Sequence, residues 1–356
     1  MAQHDSDSNA VLQQLAIGAV IRTASSFAVG EQPPGELATE IGKGLQGAIF
    51  ERVGHTLVVK KEHMENARSA QNLKNEFAVH QRVHASFQHY APLLGCCVSV
   101  PRPVRLVTSD EGHIHRSIVE ALPNDVQSSS DVVEMERVLP LPKTIRRALI
   151  ERFYPEKSED HAVSPTVVQG VLGLVPNKHC LVRPYVGMGS KTYTQAHFSL
   201  RNFILSLQSL RDLGFDVEGL ATTLGKAYAI MHWGAHVDGD DVEFVLGSST
   251  TDSPDSQEAS LQSREISLHL LDFGQCEMVD MSSDPQVVYQ AFKGAMVTGD
   301  NAYFIPNHRL SPGLFQAFVE AYSQAADEII RDQSLSHAFD ISEFTRQYRE
   351  YVEDFL

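Results

Sequence analysis

The chain has 356 residues and a formal net charge of −16. Hydrophobic residues make up 42% of it and charged residues 21%, a globular composition that excludes disordered and collagen-like classes. Its four cysteines, Cys96, Cys97, Cys180 and Cys276, are too few for a disulfide scaffold and show no CxxC or Cys/His zinc spacing, so no metal site is expected.

The acidic start lacks a basic region followed by a long apolar core, so no secretory signal is read. No run reaches about 18 apolar residues, so no membrane partner is expected and a reduced, cytoplasmic protein is. The charge argues against DNA and against nucleic-acid binding over the whole surface, though not against a local basic patch.

Residues 1–40 read as a polar tail, a short apolar helix and a linker carrying Pro33-Pro34-Gly35. From Ile41 to Glu62 apolar and polar residues alternate, broken at Val53-Gly54-His55, which predicts a β-hairpin. Residues 64–85 have helical spacing, with Leu73, Phe77, Val79 and Val83 on one side. Residues 104–120 suggest a second hairpin turning at Asp110-Glu111-Gly112, and 124–131 a serine-rich loop. A basic helix over 143–157 carries Lys143, Arg146, Arg147, Arg152 and Lys157 and is stopped by Pro155. A buried strand follows at 180–187.

Helical periodicity then dominates, over 198–213 and 217–233 with Gly214 between them, and later over 286–298, 312–333 and 342–355. A polar loop is read over 247–265 and an apolar strand over 267–273. A β-rich first half before a helical second half predicts an α+β fold of two lobes with a cleft between them. The expected division is a tail over 1–40, a β-rich N-lobe over 41–188 and a helical C-lobe over 189–356.

Gly42-Lys43-Gly44-Leu45-Gln46-Gly47 fits G-x-G-x-x-G, but it opens a strand rather than a helix. That context favours a hairpin tip lying over phosphates above a dinucleotide fold, and it also fits an ordinary glycine-bearing turn. Lys60 ends the strand Leu57-Val58-Val59, and Glu76 lies 16 residues on, in the predicted helix. Such a pair can orient a cleft-lining lysine, or be a strand-end lysine and a solvated glutamate.

His236-Val237-Asp238 follows a helix ending at His232-Trp233, Glu243 stands five residues after Asp238, and Asp272-Phe273-Gly274 follows an apolar strand. The order glycine loop, Lys, Glu, H-x-D and D-F-G resembles the protein-kinase-like superfamily over roughly residues 41–300. The resemblance implies that residues 180–187 enter the hinge between lobes. Glu243 departs from it by replacing a metal-binding Asn. Asp238, Asp240, Asp241, Glu243 and Asp272 would crowd one cleft, a density that a cationic substrate, or two metals with ATP, would tolerate.

A narrower resemblance rests on the run Asp238–Gly247, on the preceding RRALIERFYP and CLVRPYVG, and on the later GDNAYFIPNH. These are similar to a fungal family first described as a domain of unknown function under a zinc-finger label, and cover most of residues 35–350. Its members act as arginine-containing cyclodipeptide synthases. The resemblance implies condensation of arginyl-tRNA with a second aminoacyl-tRNA to a cyclo-Arg-Xaa diketopiperazine, with no cofactor and no ATP, in secondary metabolism.

On that implication Asp238 handles the amine proton, with Asp272 and Glu243 as further catalytic candidates. Asp241 and Glu243 hold the substrate guanidinium. His232, Trp233 and Arg183 are further substrate-binding candidates, the first two better suited to capping and packing a helix end. Ser199, Cys180 and Cys276 are read as structural before nucleophilic. The helix bearing Lys143, Arg146, Arg147 and Arg152 is the candidate tRNA site, or simply a solvated basic face. Two other functions stay open: an ATP- and magnesium-dependent small-molecule phosphotransferase using Lys60, Asp238 and Asp272, and a catalytically inactive pseudokinase.

Overall fold

A computed structural model describes residues 8, 10–24, 38–44, 47–52, 55–62, 69–155, 162–250 and 261–355. It is a mixed α+β fold with two sheets. Eleven strands are named: β1 (Val20–Ala24), β2 (Thr39–Lys43), β3 (Gly47–Glu51), β4 (Leu57–Glu62), β5 (Val98–Ser99), β6 (Pro103–Val107), β7 (Val132–Glu136), β8 (Val182–Tyr185), β9 (Phe203–Ser206), β10 (Glu243–Thr250) and β11 (Leu261–Leu271). The first sheet runs β2-β3-β4-β7-β6 and is antiparallel throughout. The second runs β1-β11-β10-β8-β9, with β5 beside β11.

The expected hairpin is present as β3 and β4, in register at Ile49 opposite Lys60, although Val53 and Gly54 lie outside the described residues. Helix α1 (Ser69–Leu94) lies against β4, β6 and β7, runs past the expected end at 85, and sends Val79, Val83 and Phe87 into the main core. Val79, Val83 and Phe87 recur every fourth residue, as a one-faced helix requires.

Four expectations are corrected. The segment 104–120 is not a hairpin: β6 leads into a short turn and helix α2 (His113–Val119), and the partner of β6 is β7. The residues read as a hairpin turn are a helix start, because the Glu111 carboxylate accepts the Thr108 backbone N–H at 2.9 Å in a capping box. Residues 198–213 are strand β9 followed by a short helix (Leu207–Asp212) whose Ser206 hydroxyl accepts the Ser209 N–H. Most of the polar loop at 247–265 that lies among the described residues is strand: β10 and β11 pair from Glu243 opposite Leu271 to Thr250 opposite Arg264, and 251–260 lie outside the description.

The fourth concerns the strand assigned to a hinge. β8 pairs with β10 and β9 and belongs to the second sheet, not to the one bearing Lys60. The main core surrounds this second sheet and the helices after it. Helix α3 (Lys143–Phe153) ends two residues before Pro155, and Lys157 lies outside the described residues. Helices α4 (Val217–Ala229) and α5 (Pro312–Asp332) pack together, and α6 (Pro285–Ala295) and α7 (Ile341–Phe355) complete the layer. Among the described residues no helix is long and apolar enough to cross a membrane.

Candidate functional site

A cavity of about 420 Å³ lies between the two sheets. The β2–β3 tip forms one wall through Gly42, Lys43, Gly44 and Gly47, while Leu45 and Gln46 of the expected loop lie outside the described residues. Lys60 on β4 and Glu76 on α1 meet on the floor. The Lys60 Nζ lies 2.5 Å from Glu76 Oε1 and 3.3 Å from Asp272 Oδ1. Burial opposes the Lys60 charge, but Glu76 and then Asp272 outweigh it and hold the ammonium above its usual range. Burial pushes Glu76 the other way, toward the neutral acid, and Lys60 counters it. A contact this short with a lysine so firmly protonated is a charged pair.

Asp272 follows β11 with a left-handed backbone, φ 58°. Phe273 behind it is buried against the His80 ring, with centroids 4.9 Å apart. Burial lowers His80 to about 4, so it is neutral and donates from Nε2 to the Pro101 carbonyl at 2.7 Å. The aspartate is thus carried on a packed anchor while its own side chain stays 44% exposed.

Asp241 and Glu243 reach the same cavity. Asp241 also has a left-handed backbone, φ 53°, and its Oδ1 accepts the Asp300 N–H at 2.9 Å. Glycine is required at 299, where φ is 52° and a Cβ would overlap the Asp241 carboxylate. Glu243 begins β10, and Arg183 stands on the neighbouring β8. The Arg183 guanidinium donates to Glu243, and to Asp300 Oδ2 at 2.7 Å and the Tyr185 hydroxyl at 3.2 Å. Tyr185 in turn donates to Asp300 at 2.9 Å. Burial lifts Glu243 to about 7 against the pull of Arg183, with Asp272 and Asp300 adding to the lift. Asp241 is raised by burial first and by Asp300, Asp240 and Asp272 after it.

Other expected residues stand elsewhere. Asp238 does not line the cavity; its Oδ1 accepts the backbone N–H of Glu277 at 2.9 Å and of Asp240 at 3.2 Å, and burial lifts it to about 6. His232 and Trp233 are core residues rather than substrate contacts. They lie on a π-helical turn (Ile230–Gly234) and are fully buried. His232 stacks on Phe292 at 4.4 Å and donates to the Asp238 carbonyl at 3.0 Å. Both His232 and Trp233 hydrogen-bond the Tyr322 hydroxyl at 2.8 Å.

None of Ser199, Cys180 and Cys276 lines the cavity. Burial pushes the Cys180 thiol up to about 12 and Cys276 well above its usual value, so neither is a ready thiolate. The basic helix α3 is less open than expected. Arg146 turns inward, donating to the Leu141 and Asn177 carbonyls at 3.1 and 3.0 Å. Arg147 pairs with Glu151 at 2.7 Å, and Arg152 lies over the Phe153 ring, leaving Lys143 and the edges of those two side chains exposed.

Sequence reasoning missed Asp300 and Tyr185 as members of the site, although Asp300 stands inside the GDNAYFIPNH run and Tyr185 inside CLVRPYVG. It also missed Arg137 and His179, which line the cavity and carry no local pattern. Among the described residues no group of three or more His, Cys, Asp or Glu is arranged to hold a metal ion. No family model matches the chain, and no curated protein matches it.

Proposed function

We propose that the chain is a two-lobed, protein-kinase-like scaffold, one lobe on each sheet, that works as an arginine-containing cyclodipeptide synthase on aminoacyl-tRNAs. The observation that carries the reading is the charge of the crevice. Six carboxylates, Glu76, Glu136, Asp241, Glu243, Asp272 and Asp300, line one cavity with four cations, Lys43, Lys60, Arg137 and Arg183. One of those cations, the Arg183 guanidinium, is gripped by Glu243 and Asp300. Two carboxylates of the wall thus already hold one guanidinium from two sides, the kind of charge-assisted contact that favours arginine over lysine. A second guanidinium, from the substrate, would relieve the crowding that helps to raise Asp241 and Glu243.

The chemistry needs no ATP, because an aminoacyl-tRNA ester is already activated. The α-amine of one aminoacyl group attacks the ester carbonyl of the other, and the amide forms as the ribose hydroxyl of that tRNA leaves. The amine proton passes to a carboxylate and then to the departing ribose oxygen. A second attack on the remaining ester closes the ring and frees the second tRNA. Asp272, exposed on the cavity wall, suits the proton transfer better than Asp238, whose oxygen is taken by backbone N–H groups. Lys60 supplies the fixed positive charge facing the developing oxyanion. Asp241 and Glu243 hold the arginyl side chain.

The test is direct: incubate the purified protein with tRNA, arginine, a second amino acid and the two synthetases, and look for a cyclic dipeptide by mass. Products without arginine, or none, defeat the proposal. One observation favours a second reading, a phosphotransferase: the chain Glu76–Lys60–Asp272 is the arrangement that orients a nucleotide phosphate. Against it, Glu243 is engaged by Arg183 at the position where that chemistry needs a metal ligand, so the residues present fit a metal–nucleotide poorly. Stabilisation by ATP with magnesium, and phosphate transfer to a small alcohol, would favour that reading.

A further inference from the structure

The cavity is divided by polarity. Ile49, Val58, Met135, Val138, Leu181 and Leu271 line it beside the charged residues of the crevice. The boundary falls within single segments. Val58 stands two residues before Lys60 on β4, so both project from one face of the sheet. Leu181 stands two residues before Arg183, and Leu271 directly precedes Asp272. An extended chain rises about 3.3 Å per residue, so positions two apart on it are roughly 7 Å apart.

The apolar half is not part of the packed interior. Ile49, Met135, Val138, Leu181 and Leu271 are each partly exposed, and none of them joins a hydrophobic core of the described residues. Val138 sits where β10 has no side chain, because a Cβ at Gly247 would overlap its Cγ1. The charged groups bordering this half are already engaged or neutral. Glu136 accepts the Arg102 backbone N–H at 3.0 Å, and Arg137 pairs with Glu51. Burial and then Arg137 lower His179 to about 4. Apolar side chains that line a cavity without filling it favour an apolar group brought from outside.

We propose that this half is the pocket for the second aminoacyl side chain, and that the second amino acid is a large apolar one of the leucine, methionine or phenylalanine class. The proposal rests on the synthase reading and deepens it. The arginyl side chain takes the acidic half and the second side chain the apolar half. The two reacting centres then meet at the boundary, beside Lys60 and Asp272. A small side chain leaves the apolar surfaces uncovered, and a charged one loses its hydration there without gaining a partner.

The test has a turnover part and a binding part. For turnover, arginine and one other amino acid at a time are supplied with tRNA and the two synthetases. Leucine, methionine or phenylalanine is expected to give cyclic dipeptide about tenfold faster than serine or aspartate at equal charged-tRNA concentration. Leu181→Asn and Met135→Gln, with thermal melts to confirm folding, should lower that ratio about tenfold while KM for arginyl-tRNA stays at the wild-type value. For binding, argininamide and arginine β-naphthylamide are titrated by calorimetry. The naphthylamide should bind wild type about tenfold more tightly, L181N should lose that advantage, and Asp241→Asn should weaken both ligands. Arginine-containing products formed equally from polar and apolar partners, or a ratio unchanged in both variants, overturn the pocket and leave the synthase reading. No product from any pair, with a naphthylamide advantage that L181N abolishes, upholds the apolar pocket and overturns the synthase reading. Neither product nor that advantage overturns both. Adenosine that displaces the naphthylamide and binds L181N more weakly than wild type assigns the apolar half to a base and overturns the proposal.

Discussion

The Arg183 guanidinium donates to Asp300 at 2.7 Å and to Glu243 with its other arm, tying a strand of the second sheet to the loop after residue 298. Its side chain is only 14% exposed, so removing it leaves two carboxylates partly buried without their cation. Breaking one side of such a pair costs about 3–5 kcal/mol. Arg183→Met is therefore expected to lower unfolding stability by roughly 3 kcal/mol in denaturant titrations. Millimolar guanidinium should restore part of the lost melting temperature in R183M and none in wild type. A variant as stable as wild type would show that the carboxylates do not need a guanidinium there.

Glu243 titrates in a useful window. Burial raises it from 4.5 to about 7, so between those values the folded chain holds a proton that the unfolded chain has released. Unfolding free energy then falls as pH rises through the window. Buried histidines such as His80 and His179, lowered to about 4, work in the opposite direction below 6.5. They cancel when wild type is compared with Glu243→Gln at each pH. The stability of wild type relative to E243Q should decline from pH 4.5 to 7 and be flat on either side. A relative stability that climbs with pH would mean that Arg183, not burial, governs this carboxyl.

Tyr322 separates a core role from a substrate role for His232 and Trp233. Its hydroxyl accepts the indole N–H and donates to His232 Nδ1, all three side chains being buried. Tyr322→Phe strands both groups, and each costs about 1–3 kcal/mol when buried unsatisfied. Denaturation should show a loss of roughly 2 kcal/mol or more, while KM for arginyl-tRNA stays at the wild-type value. A raised KM at unchanged stability would return the two residues to the substrate site.

Much of the site could be read from residue order, because its parts lie on local patterns. A lysine ending an apolar strand and a glutamate on the next helix meet whenever that helix packs on the sheet, and Lys60 and Glu76 do. Asp272-Phe273-Gly274 reads well because Phe273 needs a core to enter and the aspartate then points out of it. Asp238 lies off the cavity because the backbone N–H groups of Asp240 and Glu277 hold its carboxylate, and that depends on how residues 272–280 return past it. The same limit hid the pairing of β1 with β11, more than two hundred residues apart, and the ion pair of Arg137 with Glu51. Contacts between distant segments leave no periodicity along the chain, and the Thr108–Glu111 capping box resembles a turn until its hydrogen bonds are seen.

Gly299 tests whether Asp241 must be held in place. Its φ of 52° is a left-handed conformation that costs an L-residue about 1–2 kcal/mol, and a methyl group there would press on the Asp241 carboxylate. That carboxylate accepts the Asp300 N–H, so displacing it loosens Asp300 and, through Asp300, Arg183. Gly299→Ala is expected to cost roughly 2 kcal/mol of stability and to raise KM for the arginyl substrate more than it lowers kcat. Gly299→Asn tolerates the left-handed backbone better yet carries the same Cβ, so it should recover part of the stability and none of the KM. If both variants instead keep the wild-type KM, the orientation of Asp241 has no part in gripping arginine, and the grip passes to Glu243 and Asp272.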